Sequence, residues 1–431
     1  MRQRLWRFRT IPVVNSAHQQ RKLPWRLTRA CFPDSFLNIN KLDSRKMKSL
    51  RILLAVAMCV RPALGEQMHF YVGTFTDNSA SKGIYQGTLD ILSGKLGPLT
   101  LAAPALDPAF LASDPSGNEL YAVQEISGTG RVQSFERKPN GSLVPLNEQS
   151  SGGNGTCHVA VDPTGQDLLI ANYGSGSIAC FRLKQDGFLG IRTALIPFAG
   201  SGPNAKRQER PHAHSIYVSP DDAFVYACDL GTDHVWIFKF DAAAGTLVAN
   251  VPPSASVPPG SGPRHLVFSP DGKLVYVANE LGHSVSSFSR NPGTGSLTPL
   301  QTIATLSEGT PAGDVATAEI VIHPSGRWLY VSNRGCDTIS VFVLDATGWL
   351  KLAQSISAGV KTPRSFALDP TGHWMITAGQ TDNLLAVLKI DSDTGELTPT
   401  AQSAQVGSPV CILFESGRQA PLSEVKLRDG Q

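Results

Sequence analysis

Apolar and polar positions alternate along this chain in short runs separated by turns, and one phrase punctuates them six times. It reads DPSG at 114–117, DPTG at 162–165, SPDD at 219–222, SPDG at 269–272, HPSG at 323–326 and DPTG at 369–372. Each turn leads into a run such as LYAVQ, LLIAN, VYACD, VYVAN, LYVSN or MITAG. A second run follows, such as VQSFER, VWIFKF or ISVFVL, then a turn such as PNGSL or DTGEL. β-Branched and aromatic residues bounded by Pro, Gly, Asp and Ser are the grammar of strands and tight turns. The turn prolines lie 48, 57, 50, 54 and 46 residues apart, the span of one four-stranded blade per repeat. The pattern predicts an all-β chain folded as a β-propeller.

A seventh copy of the strand, FYVGT at 70–74, has no Pro-Gly turn before it, yet it is followed by GIYQGTLDILSGKL, the usual second strand and turn. The inner strand missing from that blade is available at the other end of the chain, as SPVCILF at 408–414. The expectation is therefore a seven-bladed propeller over 66–417, its first blade closed by the C-terminal strand, with a tail at 418–431. Closure of this kind removes the exposed sheet edges on which chains aggregate. Forty glycines, thirty prolines and only 17% charged residues suit such a turn-rich β protein.

Residues 1–46 break the pattern. They hold eleven Lys/Arg against two Asp/Glu and no repeat, and are read as a basic extension, disordered or upstream of the true start. Met47 opens MKSLRILLAVAMCVRPALGEQ, with two early cations, an apolar stretch and small residues at Ala63 and Gly65. That is signal-peptide grammar over 47–65. The expected location is periplasmic or secreted if Met47 is the start, and cytoplasmic otherwise. The apolar stretch is too short for stable membrane insertion. Without 1–65 the chain carries 24 Lys/Arg against 33 Asp/Glu, a net charge of −9, which argues against nucleic acid as a partner.

Five of the seven cysteines, Cys157, Cys180, Cys228, Cys336 and Cys411, fall in the propeller, with no CxxC spacing. Neither a zinc site nor a disulfide framework is indicated. Cys180 and Cys228 read as small buried hydrophobes, and Cys157 beside His158 is a weak nucleophile pair.

Equivalent positions of the repeat form rings around the propeller axis. Six residues before each turn proline stand Ala109, Cys157, His214, Arg264, Ala318 and Arg364, and one residue later Phe110, His158, Ser215, His265, Glu319 and Ser365. Ten residues after the proline stand Glu125, Tyr173, Leu230, Glu280, Arg334 and Gln380. Antiparallel neighbours bring the start of one strand and the end of the next to the same side. His214, Arg264, Glu280, Arg334 and Arg364 are thus expected at one channel mouth. Arginine there suits an anionic ligand, since its planar fork donates paired hydrogen bonds to carboxylate or phosphate. His212 and His214 could form a two-histidine arm, but no third ligand stands at a matching spacing, so no metal and no cofactor are expected.

The strings RPHAHS, GSGPRHLVF, VYVANELGHSV, AEIVIHPSGRWLYVSNRGCDTISVF and TPRSFALDPTGHWMITAGQ resemble those of the seven-bladed lactonase family, which includes propeller-type 6-phosphogluconolactonase and carboxy-cis,cis-muconate cyclase. The resemblance covers about 68–414. It implies hydrolysis of a small-molecule lactone, the family's catalytic His, two Arg and Glu falling on His214 (or His212), Arg264, Glu280 and Arg334. His212, His265, Glu319, Arg364 and Gln380 would complete the substrate-binding ring. Whether Glu280 or His214 is the base stays open at this level. The alternatives are a lactonising cycloisomerase and a non-catalytic periplasmic or surface propeller that binds without turnover.

Overall fold

The computed structural model describes residues 67–125, 128–310 and 313–415. The expectations for 1–46, 47–65 and 418–431 lie outside the described residues. The described strands, β1 to β28 in chain order, assemble into seven four-stranded sheets. Six sheets use consecutive strands. The remaining sheet joins β1 (Gln67–Thr74), β2 (Gly83–Asp90) and β3 (Thr100–Pro104) to β28 (Pro409–Phe414), which lies innermost against β1. Both ends of the propeller thus meet in its first blade, as the displaced repeat predicts.

The turn phrase works through its first residue and its glycine. Asp114 accepts hydrogen bonds from the backbone N–H of Ser116 and Glu119, both at 2.8 Å, the Asx geometry that lets a short side chain close a turn. The fourth position is left-handed, as in Gly117 at φ 72°, where glycine carries no Cβ penalty. In SPDD the same place is taken by Asp222 at φ 56°.

Second strands supply the blade interiors. Tyr71, Tyr121, Tyr226, Tyr276 and Tyr330 are fully buried, and three of them also bind the neighbouring blade. Tyr71, Tyr226 and Tyr330 donate to the carbonyls of Gly141, Gly295 and Gly395 at 2.9, 2.7 and 2.9 Å. A buried aromatic contributes roughly 2 kcal/mol by removing its surface from water, and the hydroxyl needs a partner once inside.

The inner strands carry one further device. In β4 (Pro108–Ser113), β8 (Thr156–Val161), β12 (Ala213–Val218), β16 (Pro263–Phe268), β20 (Ala316–Ile322), β24 (Pro363–Leu368) and β28, the ladder skips a residue near the start. Pro263 pairs with Asn279 and His265 with Ala278, leaving Arg264 as the extra residue. A bulge re-aims the side chain that it frees. Here it lets two successive residues per blade face the channel, where a regular strand would send them to opposite sides.

Candidate active site

Glu280 is the centre of the mouth. It follows β17 (Leu274–Asn279), and its backbone N–H donates to Gly262 O at 2.8 Å. Its carboxylate divides between three arginines from different parts of the chain. Oε1 is 2.7 Å from Arg207 Nη2, while Oε2 is 2.9 Å from Arg334 Nη2 and 3.2 Å from Arg264 Nε. The Arg264 contact is an ion pair without hydrogen-bond alignment, and its Nε has no hydrogen-bond partner. Arg264 is anchored elsewhere, through Nη1 to Ala318 O at 2.8 Å.

Glu280 and Arg264 are 4% and 3% exposed. Burial alone would raise the Glu280 carboxyl, but Arg334, Arg264 and Arg207 together hold it at about 2. Burial also lowers Arg334 to about 10 against the pull of Glu280. Such a carboxylate is permanently ionised and weakly basic, a clamp for guanidiniums rather than a proton acceptor.

His214 presents Nε2 to Glu280 Oε2 at 3.8 Å, and its Nδ1 is buried without a partner. Burial, followed by the charge of Arg264, keeps its imidazole neutral well below its ordinary range. Tyr173 meets it edge-on, with ring centroids 5.4 Å apart.

The rings place the other expected residues in two layers. His265 and Glu319 lie beneath Arg264. His265 Nδ1 is 2.8 Å from Glu319 Oε1, and its Nε2 is 3.3 Å from Arg264 Nη1. Imidazole and carboxylate thus support Arg264 from below. Glu319 stays ionised although burial opposes it, because His265 and Arg264 lower its carboxyl. Arg364 sits across the mouth, 4.0 Å from Glu125 and 5.3 Å over the Phe75 ring. His212 packs on the wall, stacked on Tyr173 at 4.5 Å and 3.3 Å from Glu209. Gln380 is half-buried, its backbone N–H donating to Thr362 O at 3.2 Å. Further along the inner strands lies a cavity of about 380 Å³ lined by Phe110, Tyr217, Leu266 and Phe366.

A family model described as "Lactonase, 7-bladed beta-propeller" matches residues 69–414. The chain belongs to the seven-bladed β-propeller lactonase family. This lactonase is 34% identical over 346 residues to the 6-phosphogluconolactonase of Bacillus subtilis, covering 80% of this chain and 97% of the relative. It is 32% identical over 353 residues to that of Formosa agariphila, covering 80% and 99%. Among solved structures, the periplasmic gluconolactonase of Pseudomonas aeruginosa aligns with a TM-score of 0.76 at 30% identity, over 81% of this chain and 99% of that one. The cycloisomerase and binding-module expectations find no favour among these relatives.

Ring logic missed one contributor to this lactonase mouth. Arg207 comes from the segment between β11 (Leu189–Pro197) and β12, outside the repeat. It donates to Tyr173 Oη at 3.3 Å as well as to Glu280. The one signal for it is the 57-residue spacing between Pro163 and Pro220, the longest of the five. Tyr173 and Glu125, which stand on the rings, also join the mouth, through Arg207 and Arg364. Among the described residues, no three His, Cys, Asp or Glu side chains converge in a group suited to hold a metal. No described helix is long and apolar enough to cross a membrane.

Proposed function

We propose that this lactonase hydrolyses a sugar lactone at the Glu280 mouth, with His214 as the base and Arg264 and Arg334 as the oxyanion and anion donors. The observation that carries this reading is the division of labour around Glu280. Its charge is spent on three guanidiniums, whereas the unpartnered Nδ1 of neutral His214 is free to accept a proton. With Nε2 turned to Glu280, the imidazole keeps the lone pair of its buried, unpartnered Nδ1 for the proton of the attacking water. The 3.8 Å contact would tighten with substrate bound, as such contacts do.

Attack proceeds by ordinary acyl chemistry. Water adds to the lactone carbonyl carbon as its proton passes to His214 Nδ1, and the carbonyl pair moves onto oxygen. Arg264 and Arg334 meet that oxyanion with donors already fixed in a buried site. Four guanidiniums, of Arg207, Arg264, Arg334 and Arg364, share the mouth with the carboxylates of Glu280 and Glu319. The mouth is therefore positive in an otherwise acidic propeller, which suits an anionic or polyhydroxylated lactone. His265 and Glu319 act by holding Arg264, and His212 by holding Tyr173.

Export is part of the same reading. It rests on the signal-like sequence 47–65 and on the description of the Pseudomonas relative as periplasmic. Outside the cytoplasm, unphosphorylated gluconolactone is the better substrate. The test is acid release from glucono-δ-lactone beside its 6-phosphate, with N-terminal sequencing of the protein from its own cell. Turnover of the unphosphorylated lactone by a chain cleaved near Gly65 supports the reading; exclusive use of the phosphate by an uncleaved chain overturns export.

A further inference from the structure

Hydrolysis through a base alone leaves one step unserved, because the ring oxygen departs as an alkoxide unless an acid protonates it. The mouth holds a second carboxyl that the scheme above does not use. Glu125 follows β5 (Glu119–Gln124) in the second blade, on the same ring as Glu280 in the fifth. Two blades lie between them one way and three the other, so the two carboxyls oppose each other across the axis. Their surroundings differ sharply. Glu280 is gripped by three guanidiniums, whereas Glu125 has only Arg364 at 4.0 Å, and its Oε2 is buried with no hydrogen-bond partner.

We infer that Glu125 is the general acid of this site, delivering the proton to the ring oxygen as the tetrahedral intermediate collapses. The inference rests on the proposed lactonase reading. A lactone whose carbonyl oxygen lies on Arg264 and Arg334 has its ring oxygen free to face the second blade. On collapse, the C–O double bond re-forms, the bond from carbonyl carbon to ring oxygen breaks, and its electron pair takes the Glu125 proton. The product is a hydroxy acid, which loses its carboxyl proton to solvent. The proton held on His214 then returns to Glu125 through water in the mouth, restoring both groups.

The electrostatics run the same way. Burial raises the Glu125 carboxyl above its ordinary range and Asp107 adds to this, while Arg364 and Arg264 oppose it. Cys157, the other titratable neighbour, is neutral, its thiol pushed up by burial. A base that is free at low pH and an acid that stays protonated to higher pH is the order a working pair requires.

The experiment is the pH profile of glucono-δ-lactone hydrolysis, corrected for spontaneous opening, for wild type, Glu125→Gln and Glu125→Asp. The expected result is a kcat lower by about 100-fold or more in Glu125→Gln, with KM and melting temperature little changed. The alkaline limb of kcat should be lost with it, and both should be partly restored in Glu125→Asp. An active wild type whose Glu125→Gln variant keeps its kcat and its alkaline limb overturns the acid role alone. A variant that loses activity only through KM, or only by unfolding, overturns it also. A wild type inactive on sugar lactones overturns the site reading and this assignment together.

Discussion

Arg207 Nη2 lies 2.7 Å from Glu280 Oε1 although 73 positions separate them in the chain. Arg207 is the half-exposed member of the arginine cluster, 41% exposed at the side chain against 3% for Arg264. It is the donor best placed to turn from Glu280 to an incoming anion. Arg207→Met should raise KM for a phosphorylated or carboxylated lactone about tenfold, the scale of one charged hydrogen bond. The KM for a neutral lactone and the melting temperature should barely move. Steady-state kinetics on the two substrate types check this, and equal effects on both would contradict it.

The pH profile follows from the two groups at the centre. Glu280 is ionised down to about pH 2, and His214 is neutral until well below its ordinary 6.5. A base with a depressed pKa is in its active form at every pH above that pKa, and activity is lost only as pH falls through it. kcat/KM should therefore stay level as pH falls from neutrality through 6.5, since that ratio reports the free enzyme. An acid limb centred near 6.5 would mean that another histidine is the base.

Removing the Glu280 charge should harm both folding and turnover. Glu280→Gln leaves Arg264 buried without the nearer of its two neutralising carboxylates. Breaking one side of a buried ion pair costs about 3 kcal/mol or more. Denaturant melts and kcat should fall together, while Arg334→Ala, whose side chain is 15% exposed, should lose activity with a smaller loss of stability. A Glu280→Gln protein as stable as wild type would show that the cluster is not held by that carboxylate.

Cys157 has no part in the chemistry. Its Sγ points to the carbonyl of His214 at 3.2 Å, and burial pushes its thiol well up, so the reactive thiolate does not form near neutrality. Iodoacetamide at neutral pH should leave both Cys157 and lactone turnover unaltered, as mass spectrometry of the treated protein can check. Rapid alkylation with loss of activity would reverse this.

The blades were legible because their signal is repeated. A turn that needs an acceptor side chain first, Asp, Ser or His, and a left-handed fourth residue recurs at nearly constant spacing, and the one displaced strand at 408–414 finds its place by elimination. The rings at Arg264, Glu280 and Arg334 were legible for the same reason. Strict alternation, however, would have sent Arg264 and His265 to opposite faces. The bulge that turns both to the channel is a matter of ladder register, which no single strand sequence displays. Arg207 was illegible because it sits in an insertion that no other blade shares. The layering of His265 and Glu319 beneath Arg264 likewise depends on contacts between blades, where equivalent positions carry different residues.

The most direct test of the central claim is the initial rate of glucono-δ-lactone hydrolysis by the wild-type protein and by His214→Asn, each corrected for spontaneous ring opening. The account predicts clear acceleration by wild type and a loss of about 100-fold in kcat for the variant, with the fold retained. No acceleration by wild type, or equal rates for the two proteins, would contradict it.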